Sequence, residues 1–174
     1  MVSLISNNKN LEMKLLNPYE LKMNVNATQI LSANYKDKSL TNEMAIEITP
    51  KKIVLVALTG MGTPIFTINY NGKTIKNSYL PIPHIDDAAK QALLNFILTY
   101  SPKESLQKML KGSNITFATI DKKRMFLYDD KNIIEITYQN NNPWKGNILL
   151  ENKVEGYKVK INTISFSKNK IDLK

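Results

Sequence analysis

Apolar and polar residues alternate along most of this chain, which is the pattern of β-strands with one buried face. The clearest case is the stretch of residues 53–70, IVLVALTGMGTPIFTINY. An apolar, β-branched run is separated there from an alternating segment by two glycines, which can adopt positive φ, and by a proline, which ends strand pairing. This arrangement predicts a β-hairpin whose loop is longer than the two-residue minimum.

Met61 occupies the tip of this predicted hairpin, where polar residues are usual. The sequence leaves two interpretations of this large apolar side chain open. Either the methionine folds back onto the sheet, or it is exposed and contacts a lipid or a partner.

The same alternation predicts strands on either side of the hairpin. Residues 19–35 and 40–49 precede it, and short alternating segments continue from residue 115 to residue 166, so the total is about nine to eleven strands. Short polar turns between successive segments favour antiparallel pairing. Before these strands, Leu11, Leu15 and Leu16 predict a short amphipathic helix that ends at Pro18.

Two helices interrupt the strand pattern. Apolar residues at helical spacing predict a helix that Asp86 or Asp87 caps and that runs to about Tyr100, with an apolar face wide enough to pack on more than one side. The sequence Ser-Pro-Lys-Glu at residues 101–104 has the form of a capping box and predicts a second helix, which Gly112 ends. The fold class expected is therefore mainly β (α+β), with one curved antiparallel sheet packed on a helical pair that follows the first five or so strands.

Composition and charge narrow the classes of function. The net charge is +9, but Arg124 is the sole arginine among 24 basic residues, and the lysines are spread along the chain. Lysine lacks the planar fork that reads phosphate and guanine, so a solvated basic surface is expected and no nucleic-acid partner, while attraction to an anionic membrane surface stays open. The chain has no cysteine, which excludes disulfides, thiol catalysis and thiolate metal sites within it.

No pattern in the sequence predicts catalysis, a metal or a cofactor. His84 is the only histidine, so a histidine-based relay or metal site lacks support. The paired aspartates at residues 86–87 and 129–130 fall at a helix start and in a turn, where each has a local explanation. The chain is therefore expected not to be an enzyme, and a hydrolase is the least favoured alternative.

The concave face of a curved sheet is the candidate site. Helices laid over that face either fill it, which gives a plain core, or leave an apolar pocket suited to an acyl chain, to which methionines would adapt. Both alternatives remain open at this point. The side chains predicted to bind lipid are inward-facing strand residues and one helix residue: Met23, Met44, Phe66, Ile68, Phe96, Phe117, Ile134, Ile136 and Tyr138.

Four stretches, taken in order and with their spacing, resemble a known family. They are LVALTGMGTPIFTINYNG (55–72), LPIPHIDDAAKQALLNFILTYSP (80–102), IIEITYQNNNPW (133–144) and GYKVKINTISF (156–166). The chain resembles the outer-membrane lipoprotein receptor LolB and its periplasmic carrier relative LolA. More closely, it resembles small LolB-like bacterial lipoproteins that often accompany gene clusters for aryl polyene or related fatty-acid-type synthesis.

This resemblance implies an antiparallel half-barrel whose helices cover an apolar concave face that holds lipid or lipoprotein acyl chains. It implies a single LolB-like lipoprotein domain over residues 1–174, in which residues 1–18 form a peripheral segment after a removed, lipid-anchored leader. The expected location is the periplasmic face of the outer membrane, and the expected state is a monomer. Met61 would contact the inner leaflet or a partner. The alternative is a scaffold with a filled core that acts with lipid or polyene synthesis enzymes.

Overall fold

The computed structural model describes residues 13–170, and over this range the chain forms ten strands, two α-helices and one short 3-10 helix. The 3-10 helix is Pro18–Leu21, and the α-helices are α1, Ile85–Tyr100, and α2, Lys103–Leu110. The strands before the helices are β1 Val25–Tyr35, β2 Lys38–Thr49, β3 Lys52–Leu58, β4 Pro64–Tyr70 and β5 Ile75–Tyr79. The strands after them are β6 Ile115–Ile120, β7 Lys123–Tyr128, β8 Lys131–Tyr138, β9 Asn147–Asn152 and β10 Tyr157–Lys168.

All ten strands of the described residues belong to one antiparallel sheet with the order β5-β4-β3-β2-β1-β10-β9-β8-β7-β6. Each half of the sheet is a meander, and the long strands β1 and β10 join the two halves at the centre. Strands β5 and β6 are the two edges, so the sheet is open. The predicted fold class is confirmed: a mainly β half-barrel with a helical pair inserted after the fifth strand.

The predicted strand over residues 19–23 is wrong, because this segment is the 3-10 helix and the turn that ends it. Asn17 accepts a hydrogen bond from the Tyr19 backbone N–H, and the Glu20 side chain accepts one from the Asn17 backbone N–H. These local bonds, with proline at the first helical position, override the alternation pattern. The predicted helix over residues 11–16 is also wrong where it can be compared, since residues 13–16 are not helical; Leu11 lies outside the described residues.

Both helices begin where the sequence places them within a few residues, but their caps differ from the prediction. The N-cap of α1 is His84 in the left-handed region (φ 61°), and Asp86 lies inside the first turn. The N-cap of α2 is Pro102, which has no side chain able to cap, so the predicted capping box is wrong. Because α2 starts one residue later than a capping box requires, the Ser101 hydroxyl is buried without a hydrogen-bond partner among the described residues.

The two halves of α1 have different surroundings. From Phe96 to its end the helix is buried on every side, whereas Ala88 is exposed and Ala92 is half-buried. Helix α1 contacts β4 and β5, and α2 contacts β6, so the helices cover the sheet from both of its edges. Among the described helices, none combines the length and the apolar character needed to cross a bilayer.

Candidate functional site

A cavity of about 850 Å³ lies between the concave face of the sheet and α1. Its walls come from β1, β2, β3, β4, β9, β10 and α1. The volume lies within the range of about 300–1,000 Å³ typical of small-molecule sites. Of the two alternatives that the sequence left open, a filled concave face and a pocket, the structure has the pocket.

Part of the cavity lies where α1 presents short side chains to a face of large apolar ones. The sheet contributes residues such as Leu31, Met44, Leu55, Phe66 and Ile161. The helix contributes Ala88 and Ala92 opposite them, and these methyl groups cannot fill the space that leucines would fill. Strand alternation fixes which side chains point inward, and the helix sequence decides how much room is left.

The cavity is closed at one end and open at the other. Helix α1 runs along it, so that Tyr100 lines one end and His84 the other. The closed end includes Gln29 and Tyr100, which are 2% and 3% exposed. Tyr35 and Leu40 line the cavity with 46% and 61% of their surfaces exposed, so solvent reaches it on the side where β1 ends and β2 begins.

Three aromatic rings stack at the closed end. Trp144, from the loop between β8 and β9, lies 4.2 Å from the ring centroid of Tyr100 and 5.0 Å from that of Phe166. Phe96 packs against Tyr100 at 4.9 Å. Stacked pairs of this kind add to the stability that burial alone provides. The stack therefore holds the C-terminal end of α1 against the central strand β10.

Two buried polar groups interrupt the apolar wall. The Gln29 amide Nε2 donates to the Tyr100 hydroxyl at 2.7 Å and to Thr163 Oγ1 at 3.0 Å. Burial raises the pKa of Tyr100 to about 12, because the phenolate would lose its hydration. The second group lies on α1 and β10, where Asn95 Nδ2 donates to the Tyr157 hydroxyl at 2.9 Å. Burial likewise raises the pKa of Tyr157.

Among the described residues, no unpaired cationic side chain lines the cavity. Asp87 and Glu155 are acidic, and Lys90 is the single lysine in the described wall. The Lys90 ammonium lies 2.7 Å from a carboxylate oxygen of Asp86. This contact and the neighbouring carboxylates raise the pKa of Lys90. Within the described residues, no three histidine, aspartate or glutamate side chains converge in a way that could hold a metal ion.

Residues 26–165 match the model of a family described as "Protein of unknown function (DUF3261)". The chain belongs to the DUF3261 family. The match spans β1 and most of β10, and it therefore includes every strand that lines the cavity. No curated protein matches this DUF3261 chain.

Several solved structures are similar to this DUF3261 chain at low sequence identity. One is the LolA superfamily protein NE2245 from Nitrosomonas europaea, with a TM-score of 0.48, 6% identity, and coverage of 88% of this chain and 91% of that one. A domain from Vibrio parahaemolyticus described as outer membrane lipoprotein-sorting has a TM-score of 0.43, 11% identity and 87% coverage of both chains. A DUF1329 family protein from Desulfovibrio piger has a TM-score of 0.39, 10% identity, and coverage of 90% and 93%.

The structure brings some of the side chains predicted to bind lipid to the cavity and places the others elsewhere. Met44, Phe66 and Phe96 line it. The remaining ones lie in the core or at its margin: Ile68, Ile134 and Ile136 are buried, and Met23, Phe117 and Tyr138 are partly buried against the core. Met23 precedes β1 because the predicted first strand is wrong. A lipid-binding role for these residues stays a prediction.

Met61 is 95% exposed at the tip of the β3–β4 hairpin, so it does not fold back onto the sheet. The Gly62 N–H donates to the Thr59 carbonyl at 2.8 Å, and Gly62 has the positive φ of 80° that this turn requires. The Leu80 N–H donates to the Ile65 carbonyl at 2.9 Å, which places the connector before α1 beside the loop end of the hairpin. Leu80 and Ile82 in that connector are also exposed.

Sequence patterns alone did not identify Gln29, Tyr157 or Asn95 as parts of the wall. Gln29 does carry a signal, since it is the polar residue at an inward position of β1 between Ala27 and Leu31. A polar side chain at such a position must find partners in the interior. For Tyr157 and Asn95 no comparable signal exists, because their contact joins residues 62 positions apart.

Proposed function

We propose that the protein binds a lipid or an acyl group in the cavity between the sheet and α1, and that it carries or transfers this ligand without forming or breaking bonds. The observation that carries the proposal is the cavity itself: about 850 Å³, walled largely by apolar side chains and open at one end. An apolar cavity that is open at one end accommodates an acyl chain and lets the ligand enter and leave through that end. The sequence resemblance to LolB points to the same class of ligand.

The energy available from such a site suits a carrier. Burying one methylene contributes about 0.8 kcal/mol, so about fifteen methylenes contribute roughly 12 kcal/mol. Association costs about 4 kcal/mol or more in lost translational and rotational freedom, which places the affinity at micromolar or weaker. Binding of that strength shelters an acyl chain and still permits its release.

The proposed location is the periplasmic face of the outer membrane, with the protein acting as a monomer. Met61 would contact the inner leaflet, and the exposed Leu80 and Ile82 lie on the connector that leads to His84 at the open end of the cavity. A net charge of +9 would favour approach to an anionic leaflet. Acyl products of aryl polyene-type synthesis are among the ligands to test first.

Blocking the cavity tests the proposal. Ala33 lines the cavity on β1, and Ala45 lies on the opposite face of the sheet on β2. We expect Ala33→Trp to weaken binding of the neutral fluorescent probe N-phenyl-1-naphthylamine at least about tenfold, because the indole occupies the site, and Ala45→Trp to leave binding unchanged. Circular dichroism of both variants controls for folding. Equal probe affinity for Ala33→Trp and the parent protein would refute the proposal.

A further inference from the structure

We infer that the ligand of this cavity is an uncharged amphiphile whose amide N–H or hydroxyl group donates a hydrogen bond to Gln29. This inference rests on the proposed function and specifies the chemistry of the ligand. Its basis is the arrangement of polar atoms and charges in the wall.

Gln29 is a buried polar side chain whose amide nitrogen, but not its amide oxygen, is hydrogen-bonded within the described part of the chain. Its Nε2 uses both hydrogens, one to the Tyr100 hydroxyl at 2.7 Å and one to Thr163 Oγ1 at 3.0 Å. Its Oε1 receives no hydrogen bond from any residue that the structure describes, although Gln29 is only 2% exposed and lines the cavity. This oxygen is not among the fully buried polar atoms that lack a partner, so it keeps some accessible surface, and a ligand that supplies a donor there gains a hydrogen bond.

The two partners of Nε2 hold the amide group of Gln29 in place. Tyr100 is held by its stack with Trp144, and Thr163 lies on β10 directly opposite Gln29 in the strand register. A shift of pairing between Thr28 and Gln29 marks a bulge at this point of the β1–β10 pair. Bulges re-aim side chains and are typical of functional positions in sheets. The amide is therefore preorganised, and its free oxygen is the acceptor that it offers to the cavity.

The charges of the wall argue against an anionic head group. Lys90 is paired with Asp86, while Asp87 and Glu155 add negative charge along the same wall. A fatty carboxylate or a phosphate would meet no unpaired cation among the described lining residues and would be repelled by these carboxylates. The Gln29 oxygen would repel such an anion too, because it is itself an acceptor.

A matched set of probes tests the inference. N-methyldodecanamide and methyl dodecanoate have the same shape, but the amide has an N–H group where the ester has an oxygen atom. Dodecanoate is the anionic probe of the same chain length. Each competes with N-phenyl-1-naphthylamine for the full chain at neutral pH. We expect the amide to bind about tenfold more tightly than the ester, the factor that one hydrogen bond supports, and dodecanoate to bind more weakly than either.

Substitution of Gln29 then assigns the preference to this side chain. In Gln29→Leu we expect the amide-to-ester ratio to fall about tenfold, while the ester binds as before or better. Ala45→Val, an apolar change on the opposite face of the sheet, should leave the ratio unchanged. If Gln29→Leu does not fold, Gln29→Met replaces it, and the probe ratios of the parent protein are decisive by themselves.

The possible outcomes separate the inference from the function on which it rests. Binding of all three probes with equal affinity, or tightest binding of dodecanoate, would overturn the inference and leave the carrier proposal standing. An amide preference that persists in Gln29→Leu would also overturn it. Failure of every probe to bind would refute the carrier proposal itself.

Discussion

Arg124, the sole arginine of the chain, holds the C-terminal end of α1 in place. Its Nη1 donates to the carbonyl oxygens of Leu98 at 3.0 Å and Thr99 at 3.1 Å, which belong to the last turn of the helix. Tyr138 donates its hydroxyl to the same Thr99 oxygen at 2.6 Å, and its ring centroid lies 5.5 Å from the guanidinium carbon. We therefore predict that Arg124→Met lowers the free energy of unfolding.

The expected size follows from these contacts. A hydrogen bond to a charged group contributes about 1.5–3 kcal/mol, but the two bonds share one nitrogen and do not add fully. A cation at a helix C-terminus contributes a further ~0.3–1 kcal/mol. We expect a loss of about 2–3 kcal/mol for Arg124→Met. Arg124→Lys should lose roughly half as much, because lysine keeps the charge but lacks the planar fork.

Equilibrium urea denaturation measures this loss. Fluorescence of Trp144, the sole tryptophan, reports the transition, because its ring stacks on Tyr100 at the end of α1. Lys123→Met is the matched control: Lys123 lies 2.9 Å from a carboxylate oxygen of Glu135 with half of its side chain exposed, so about 0–1 kcal/mol is expected. A loss for Arg124→Met no larger than for Lys123→Met would refute this account of the helix end.

Two further predictions concern pH and the membrane. Since burial raises the pKa of Tyr100 from 10.0 to about 12, the folded state prefers the phenol; this stability is fully present below pH 10 and is lost as the pH rises towards 12. The unfolding free energy of Tyr100→Phe should therefore fall by about 2–3 kcal/mol less than that of the parent protein as the pH rises towards 12. An unchanged pH dependence would contradict the raised pKa of Tyr100. Met61→Glu should weaken flotation with vesicles of phosphatidylethanolamine and phosphatidylglycerol, because it places a carboxylate at the exposed tip. Thr116→Glu, which adds the same charge at an exposed position of an edge strand, controls for net charge, and equal flotation of the two variants would exclude contact by the tip.

Local sequence patterns predicted the elements whose stability is local. The β3–β4 hairpin and α1 were predictable because turn glycines and helical spacing each act over a few residues. Residues 19–23 were not, because a capping box at Asn17 overrides an alternation that looks like a strand. The capping box predicted at Ser101 is wrong because the residue at the N-cap position is Pro102, whose side chain cannot accept a hydrogen bond.

The extent of the cavity could not be predicted from alternation alone. Phe66 and Phe117 both occupy alternating strand positions, but only Phe66 faces the N-terminal half of α1, where alanines leave room. Phe117 instead packs against Phe126, with ring centroids 5.2 Å apart, on the side of the sheet that α2 covers. The position of the helices decides whether an inward residue lines the cavity or fills the core. Long-range contacts, such as those of Arg124 and Trp144, set that position.

Native mass spectrometry of the purified protein, followed by organic extraction of whatever is bound, tests the central claim most directly. If the cavity is a carrier site, the protein retains one acyl-containing molecule per chain, or takes one up when it is incubated with N-methyldodecanamide. Ala33→Trp should then carry none. A mass equal to that of the bare chain before and after incubation would contradict the account.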